Sequence, residues 1–331
     1  MNFQPFDRLP LVEWAIWWDR TIERWHGEGL PASVTDRYDL YDYFGLERYR
    51  QDWINATGPG CPAPASHGAG LIEDAAGYER LRPHLFPSFE SRRALWEHWA
   101  AEQARGDAVL WFTFDGFFWF SRLLLGIERH LYAFYDQPAL IHRINRDLAE
   151  WMAGIIESLC AVCVPDFMTF AEDMSYNHGP MLSKDMFDEF MKPYYRRIVP
   201  ALQKRGVLAI VDSDGDVTVP AYWFEEAGLD GILPLERQAG VDIARLRREH
   251  PRMRFIGHFD KMTMDKGEAA MRAEFDRLLP TAVLGGFLPG VDHQTPPGVS
   301  LENYRGYLRL YRAFAEEVGR RSRAAAIPPR G

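Results

Sequence analysis

The sequence predicts an α/β fold in which parallel strands close a single (β/α)8 barrel, and three observations carry that prediction. Short apolar runs alternate with amphipathic helical stretches along most of the 331 residues, the pattern of parallel strands joined by helices. Each run is apolar almost throughout, as a strand buried on both faces requires. The Gly- and Pro-dense stretch 54–70 (INATGPGCPAPASHGAG) has sheet-like segments on both sides. It therefore reads as an irregular loop and not as a linker between domains.

Taken in order, the strand candidates are 9–14, 108–114, 167–171, 207–211, 231–235, 254–257 and 287–291. Helical periodicity fills most of the gaps, at 138–158, 183–204, 244–250, 267–279 and 301–319. Seven strands are placed in this way. The eighth, needed to close the barrel, has no clean position between residues 38 and 87. No internal repeat is visible, so residues 1–320 are expected to form one barrel domain. The tail 321–331 (RSRAAAIPPRG) is expected to be disordered.

Composition narrows the function. Apolar residues make up 47% and charged residues 26%, as in a soluble globular enzyme, and the formal charge is 38 − 47 = −9. An acidic balance argues against nucleic acid or an anionic lipid surface as partner. No run of eighteen apolar residues is present, so no membrane span is expected. The opening MNFQPFDRLP has neither the basic nor the apolar region of a signal peptide. Cys61, Cys160 and Cys163 are too few for a disulfide framework and suit a reducing, cytoplasmic location. Cys160-x-x-Cys163 has no second pair to complete a zinc site, and its thiols are expected to be buried and free.

A parallel barrel carries its site at the carboxyl ends of its strands. Those ends supply Glu13, Trp14 and Trp17; Glu172, Asp173 and His178; Asp212, Asp214 and Asp216; Glu236; His258 and Asp260; and Asp292 and His293. In Asp212-Ser213-Asp214, alternate residues of an extended segment point the same way. Joined by Glu236 and His293, they would form an oxygen-rich set with one imidazole, suited to zinc, manganese or iron(II). The competing reading makes Asp214-Gly215-Asp216 a turn with side chains on local N–H groups. Glu172 and Asp173 are candidates for proton transfer. Ser183, with Asp185 in the following turn, reads as the N-cap of the next helix. His293 is fixed between a strand end and Pro296-Pro297, while Asp260-Lys261 reads as a rim ion pair of little worth. No G-x-S-x-G, P-loop or post-strand G-x-G-x-x-G occurs. Ten of the eleven tryptophans lie within the first 151 residues. They form either an aromatic core or a flat hydrophobic pocket.

Several of these segments together resemble the uroporphyrinogen decarboxylase superfamily. Gly179-Pro180-Met181-Leu182-Ser183 with Phe187, Phe190, Pro193-Tyr194 and Arg197-Ile198 is similar to the segment after one of its barrel strands. His293, Pro297 and Glu302-Asn303 resemble its C-terminal motif. With 212–216, Pro234-Leu235-Glu236 and Gly257…Asp260-Lys261, the resemblance spans most of 105–319. It implies a uroporphyrinogen decarboxylase-like TIM barrel and two chemistries. The decarboxylases grip their substrate with an N-terminal arginine pair, but here residues 13–20 read EWAIWWDR, and a family tyrosine is absent from 116–126. The methyltransferase branch moves a methyl group between a corrinoid and a thiol or folate. Its thiol-directed members bind zinc through His-x-Cys and a later Cys, where this chain has Asp212-Ser213-Asp214 and His293.

The expectation is therefore a methyltransferase or demethylase of this superfamily acting on a small apolar or aromatic molecule. Asp212, Asp214 and His293 would be catalytic, with Glu172 and Asp173 as further proton-transfer groups. Asp212, Asp214, Glu236 and His293 would hold a divalent metal, zinc or another. Trp14, Trp17, Trp18, Phe117, Trp119, His178 and His258 would line the substrate. A separate corrinoid protein is implied as partner, and a homodimer is left open. The alternatives are a cofactor-free decarboxylase of a small or tetrapyrrole carboxylate and a non-catalytic ligand-binding barrel.

Overall fold

A computed structural model describes residues 3, 4 and 6–326. The chain divides into two units, described separately below. One comprises the described residues of Met1–Arg48, Asp214–Thr218 and Ile232–Gly331; the other comprises Tyr49–Ser213 and Val219–Gly231.

The second of these contains four parallel strands in the order Tyr49–Ile54, Val109–Asp115, Phe167–Ala171 and Leu208–Asp212. One face is apolar: Leu110, Phe112, Phe114, Met168 and Phe170 have no exposed surface. Helices cover it, with Trp96 of Glu90–Ala104 against Phe112 and Trp151 of Pro138–Cys160 against Phe114. The other face carries a polar row, in which Gln51 donates to Thr113 at 3.0 Å and the Thr113 and Thr169 hydroxyls meet at 2.8 Å.

Tyr49–Ile54 lies inside the interval where no strand could be placed from the sequence. Its YRQDWI is too polar to read as a buried strand, because its charges are answered by helix Glu90–Ala104. Arg50 pairs with Glu102 at 2.6 Å, and Asp52 accepts from Trp96 at 2.9 Å and pairs with Arg92.

In the other unit, Arg254–Phe259 and Phe287–Val291 pair in parallel, with Phe255 opposite Phe287 and Phe259 opposite Val291. Helices Glu268–Val283 and Leu301–Ala326 cover them through an aromatic cluster of Phe259, Phe275, Tyr307 and Tyr311. The expected strand at 9–14 is not formed. Pro10 has no N–H to give to a ladder, and the segment reaches the last strand through side chains instead. Val291 N donates to Glu13 Oε2 at 3.2 Å, and Trp14 Nε1 donates to Val291 O at 2.7 Å.

The remaining six expected strands form, at 109–115, 167–171, 208–212, 231–233, 254–259 and 287–291. With Tyr49–Ile54 these make seven, so the α/β pattern holds, but no eighth strand closes a barrel among the described residues. Helix continues through 321–326 of the expected tail, and 327–331 lie outside the described residues. No helix of the described residues is long and apolar enough to cross a membrane. The three cysteines are free and half-buried.

Candidate functional site

The unit that includes the chain's first residues collects four of the predicted groups. Asp214 and His293 form a pair, Oδ2 to Nε2, at 3.6 Å, and both are partly exposed. The Trp14 ring meets the His293 ring edge-on at 6.1 Å. Glu236 Oε2 accepts from Gly215 N at 3.0 Å, which fixes the loop carrying Asp214. Asp216 accepts from Thr218 N at 2.9 Å, so the turn reading holds for that residue.

Two residues complete this cluster: Asp292, named from the sequence only as a strand-end residue, and Lys261, read there as the ion-pair partner of Asp260. Asp292 is fully buried and accepts from Arg237 N at 2.9 Å and from Lys261 N at 3.3 Å. Burial pushes its carboxyl up to about 6, against the opposing pull of Lys261. The Lys261 ammonium lies 3.4 Å from Asp292 and 3.6 Å from Glu236. Lys261 is therefore not the partner of Asp260. Asp260 instead accepts from Gln238 at 2.5 Å and caps Met262 N at 2.9 Å. The available signal was position alone, since Lys261 lies two residues beyond the end of a strand.

The other unit holds the remaining acids. Ala171 pairs with Asp115 on one side and with Asp212 on the other, so two aspartates share one row at the carboxyl ends of three strands. Asp115, missed in the sequence, is buried, and its carboxyl is pushed up by burial. It receives long hydrogen bonds, both 3.4 Å, from Trp53 Nε1 and Ala56 N.

Glu172 is fully buried and receives four donors: Phe117 N at 2.8 Å, Phe118 N at 2.7 Å, Trp119 N at 3.2 Å and the Tyr195 hydroxyl. It caps helix Phe117–Leu125 from a neighbouring strand, satisfying N–H groups that the helix itself cannot. Burial nevertheless pushes its carboxyl up to about 7. With both oxygens so engaged and no exposed surface, Glu172 serves the fold and offers no atom to a substrate. Asp173, half-buried, takes a left-handed backbone with φ of 39°.

The predicted lining residues divide. Trp18 is 48% exposed, Trp119 is half-buried under the Arg122 guanidinium at 4.9 Å, and His178 is exposed beside Tyr176. Trp17, at 2% exposure, is packed among Trp25, Tyr41, Phe44 and Tyr304, and Phe117 is packed against Phe170 and Tyr195. Both belong to the core and not to a pocket wall. His258 is likewise no lining residue. It is fully buried, Nδ1 meets Leu235 O at 2.8 Å, and Nε2 meets Arg277 at 3.3 Å. Burial pushes its pKa down to about 4, so the ring is neutral. A cavity of about 740 Å³ lies between loop Gly68–Glu73 and residues 125–136, and none of the predicted residues lines it.

Of the predicted metal ligands, Asp214, Glu236 and His293 belong to one unit and do not form a chelating set. Among the described residues, no three His, Cys, Asp or Glu are arranged to hold a metal ion. The Glu236 oxygens face an amide and an ammonium, and those of Asp292 face two amides and the same ammonium. The residues present do not fit a resident metal.

A family model described as uroporphyrinogen decarboxylase (URO-D) matches residues 120–314, more than half of the chain. The chain belongs to the uroporphyrinogen decarboxylase family. Its fold is similar to that of a methyltransferase from Methanosarcina mazei, with a TM-score of 0.59 and 15% identity over 94% of this chain and 95% of that one. A B12-independent methionine synthase from Shewanella sp. W3-18-1 matches with a TM-score of 0.45 and 14% identity, over 71% and 68% of the two chains. A putative B12-independent methionine synthase from Listeria monocytogenes matches with a TM-score of 0.45 and 13% identity, over 98% and 99%. At these identities the likeness is one of fold. No curated protein sequence matches the chain.

Proposed function

We propose that this member of the uroporphyrinogen decarboxylase family is an enzyme of the methyl-transfer type, acting on a small, largely apolar substrate. The observation that carries the reading is the Asp214–His293 pair, partly exposed at the end of the last strand with an indole edge beside it. When a methyl group leaves an oxygen or nitrogen, that atom keeps the bonding electron pair. A proton from the imidazole then neutralises it, and in the reverse direction the imidazole takes the proton back. Asp214, 3.6 Å from the ring nitrogen, orients the ring. The M. mazei methyltransferase supports the reading at the level of fold.

Substrate class follows from what stands at 13–20. The decarboxylase resemblance calls for an arginine pair there. The chain instead buries Glu13 and Trp17 and presents Trp14 and Trp18. A polyanionic tetrapyrrole would meet no cation in that segment except the lone Arg20. A corrinoid on a separate protein would be the methyl acceptor or donor in this reading.

The test uses cob(I)alamin as acceptor with a panel of methyl ethers, methylated amines and methyl thioethers, read as the appearance of the methylcobalamin spectrum. One donor class should support turnover, with a loss of about 10²-fold or more in His293→Ala and Asp214→Ala. If no donor is demethylated while a carboxylated substrate releases carbon dioxide, the family's other chemistry is the right one.

A further inference from the structure

Three loops that follow neighbouring strands meet at one side chain. Asp292, with no exposed surface, directs one oxygen to Arg237 N and the other to the backbone and side chain of Lys261. Glu236 directs one oxygen to Gly215 N and the other to the same ammonium. Each carboxylate is therefore tied by one oxygen to a neighbouring loop and by the other to Lys261, whose side chain is 17% exposed. Through Gly215 the network reaches Asp214, and through Asp292 it reaches His293. Without the ammonium, the two carboxylates would lose the cation that both of them face and would repel each other.

We propose that Lys261 is the resident cation of this site, its ammonium filling the role that a metal ion fills in members with a thiolate and imidazole set. The inference rests on placing the site at Asp214 and His293 but not on the reaction assigned to it. Lys261 is a positioning residue: it holds the Asp214 loop and the His293 segment to a common centre. An ammonium has three N–H donors, and the two carboxylates hold it at ion-pair distances of 3.4 and 3.6 Å. An N–H of that ammonium can then be given to an oxygen of the substrate, so the ligand class is a neutral or partly negative oxygen acceptor. The carboxylates beside the ammonium act against a polyanion.

The test compares the full chain with Lys261→Met and Lys261→Arg, by metal content after purification without chelator and by thermal midpoint with and without EDTA. The expected result is substoichiometric metal in the parent and a midpoint unmoved by EDTA. Lys261→Met should lower that midpoint by several degrees, and Lys261→Arg should recover at least half of the loss because it keeps the charge. Stoichiometric metal in the parent, with destabilisation by EDTA, overturns the proposal. A midpoint unchanged in Lys261→Met, or lowered equally in both variants, overturns it as well. None of these readouts involves a methyl donor, so they stand or fall separately from the methyl-transfer reading.

Discussion

Replacing Glu13 by glutamine isolates the cost of one buried acid. The Glu13 side chain is buried, and Oε2 accepts from Val291 N at 3.2 Å. Burial raises its pKa from 4.5 to about 7, against the opposing pulls of Tyr307 and Val291 N. Between those two values the folded chain holds a proton that the unfolded chain has released, so stability falls as pH rises. The contribution is fully present below about pH 4.5 and lost above about pH 7. A difference of 7 − 4.5 = 2.5 units corresponds to about 3 kcal/mol. Glutamine keeps the acceptor for Val291, places its NH₂ near the Tyr307 hydroxyl, and cannot ionise. The stability of Glu13→Gln relative to the parent should therefore rise by about 3 kcal/mol from about pH 4.5 to pH 8. Urea denaturation of both proteins across that range measures it. Glu172 and Asp292 titrate in both proteins and cancel in the difference. A constant difference across the range would refute the assignment of a raised pKa to Glu13.

Two further predictions concern the cap on helix Phe117–Leu125. Glu172→Gln must turn its NH₂ toward at least one N–H or O–H that now donates to the carboxylate, at a cost of about 1–3 kcal/mol. A midpoint at pH 8 unchanged by this substitution would show that the four donors are not held by that carboxylate. In Gly116→Ala the added Cβ would fall 2.2 Å from Glu172 Cδ, which predicts a loss of about 1–3 kcal/mol from overpacking. Gly154→Ala, in helix Pro138–Cys160 with nothing within 4 Å of its Cβ, should instead gain about 0.5–1 kcal/mol. Denaturation midpoints that move in the same direction for both alanines would contradict the packing described around Gly116.

Apolar patterning made six strands legible, because Val109–Asp115, Phe167–Ala171 and the others carry their burial in their own residues. It failed at two places for opposite reasons. Tyr49–Ile54 is a strand whose charges are neutralised 40–52 residues away, by Arg92 and Glu102, and no local window sees that. Segment 9–14 has strand-like composition, but it uses Glu13 and Trp14 side chains where a strand would use its backbone. The same distinction governs the acids. Asp214 and His293 were identifiable as strand-end residues and do pair. Glu172 was identified on the same grounds, yet it caps a helix that begins 55 residues earlier in the sequence. The Ser183 cap was legible because it is local, bonding Met186 N three residues on. The joint role of Lys261 and Asp292 was hidden, although each was named, because it lies in their convergence, which requires three separate loops.

The tryptophan skew carries less about substrate than composition alone suggests. Trp17, Trp25, Trp96, Trp99 and Trp111 are all buried, and rings of this size supply much of a core's apolar area. They account for half of the ten tryptophans in the first 151 residues with no ligand involved. Trp18 and Trp53 are exposed, and isolated exposed apolar residues are ordinary on a protein surface. Of the half-buried remainder, Trp119 lies under Arg122 and Trp151 donates to Pro87 O, which leaves Trp14, whose ring meets His293 edge-on while its N–H holds Val291 two residues before it. The case for an apolar substrate therefore rests on one indole and on the missing arginine pair, not on a wall of tryptophans. Trp14 is also a structural element of the strand end that carries His293. The aromatic surface beside the imidazole and the placement of the imidazole thus depend on the same residue, and substitution of Trp14 would change both together.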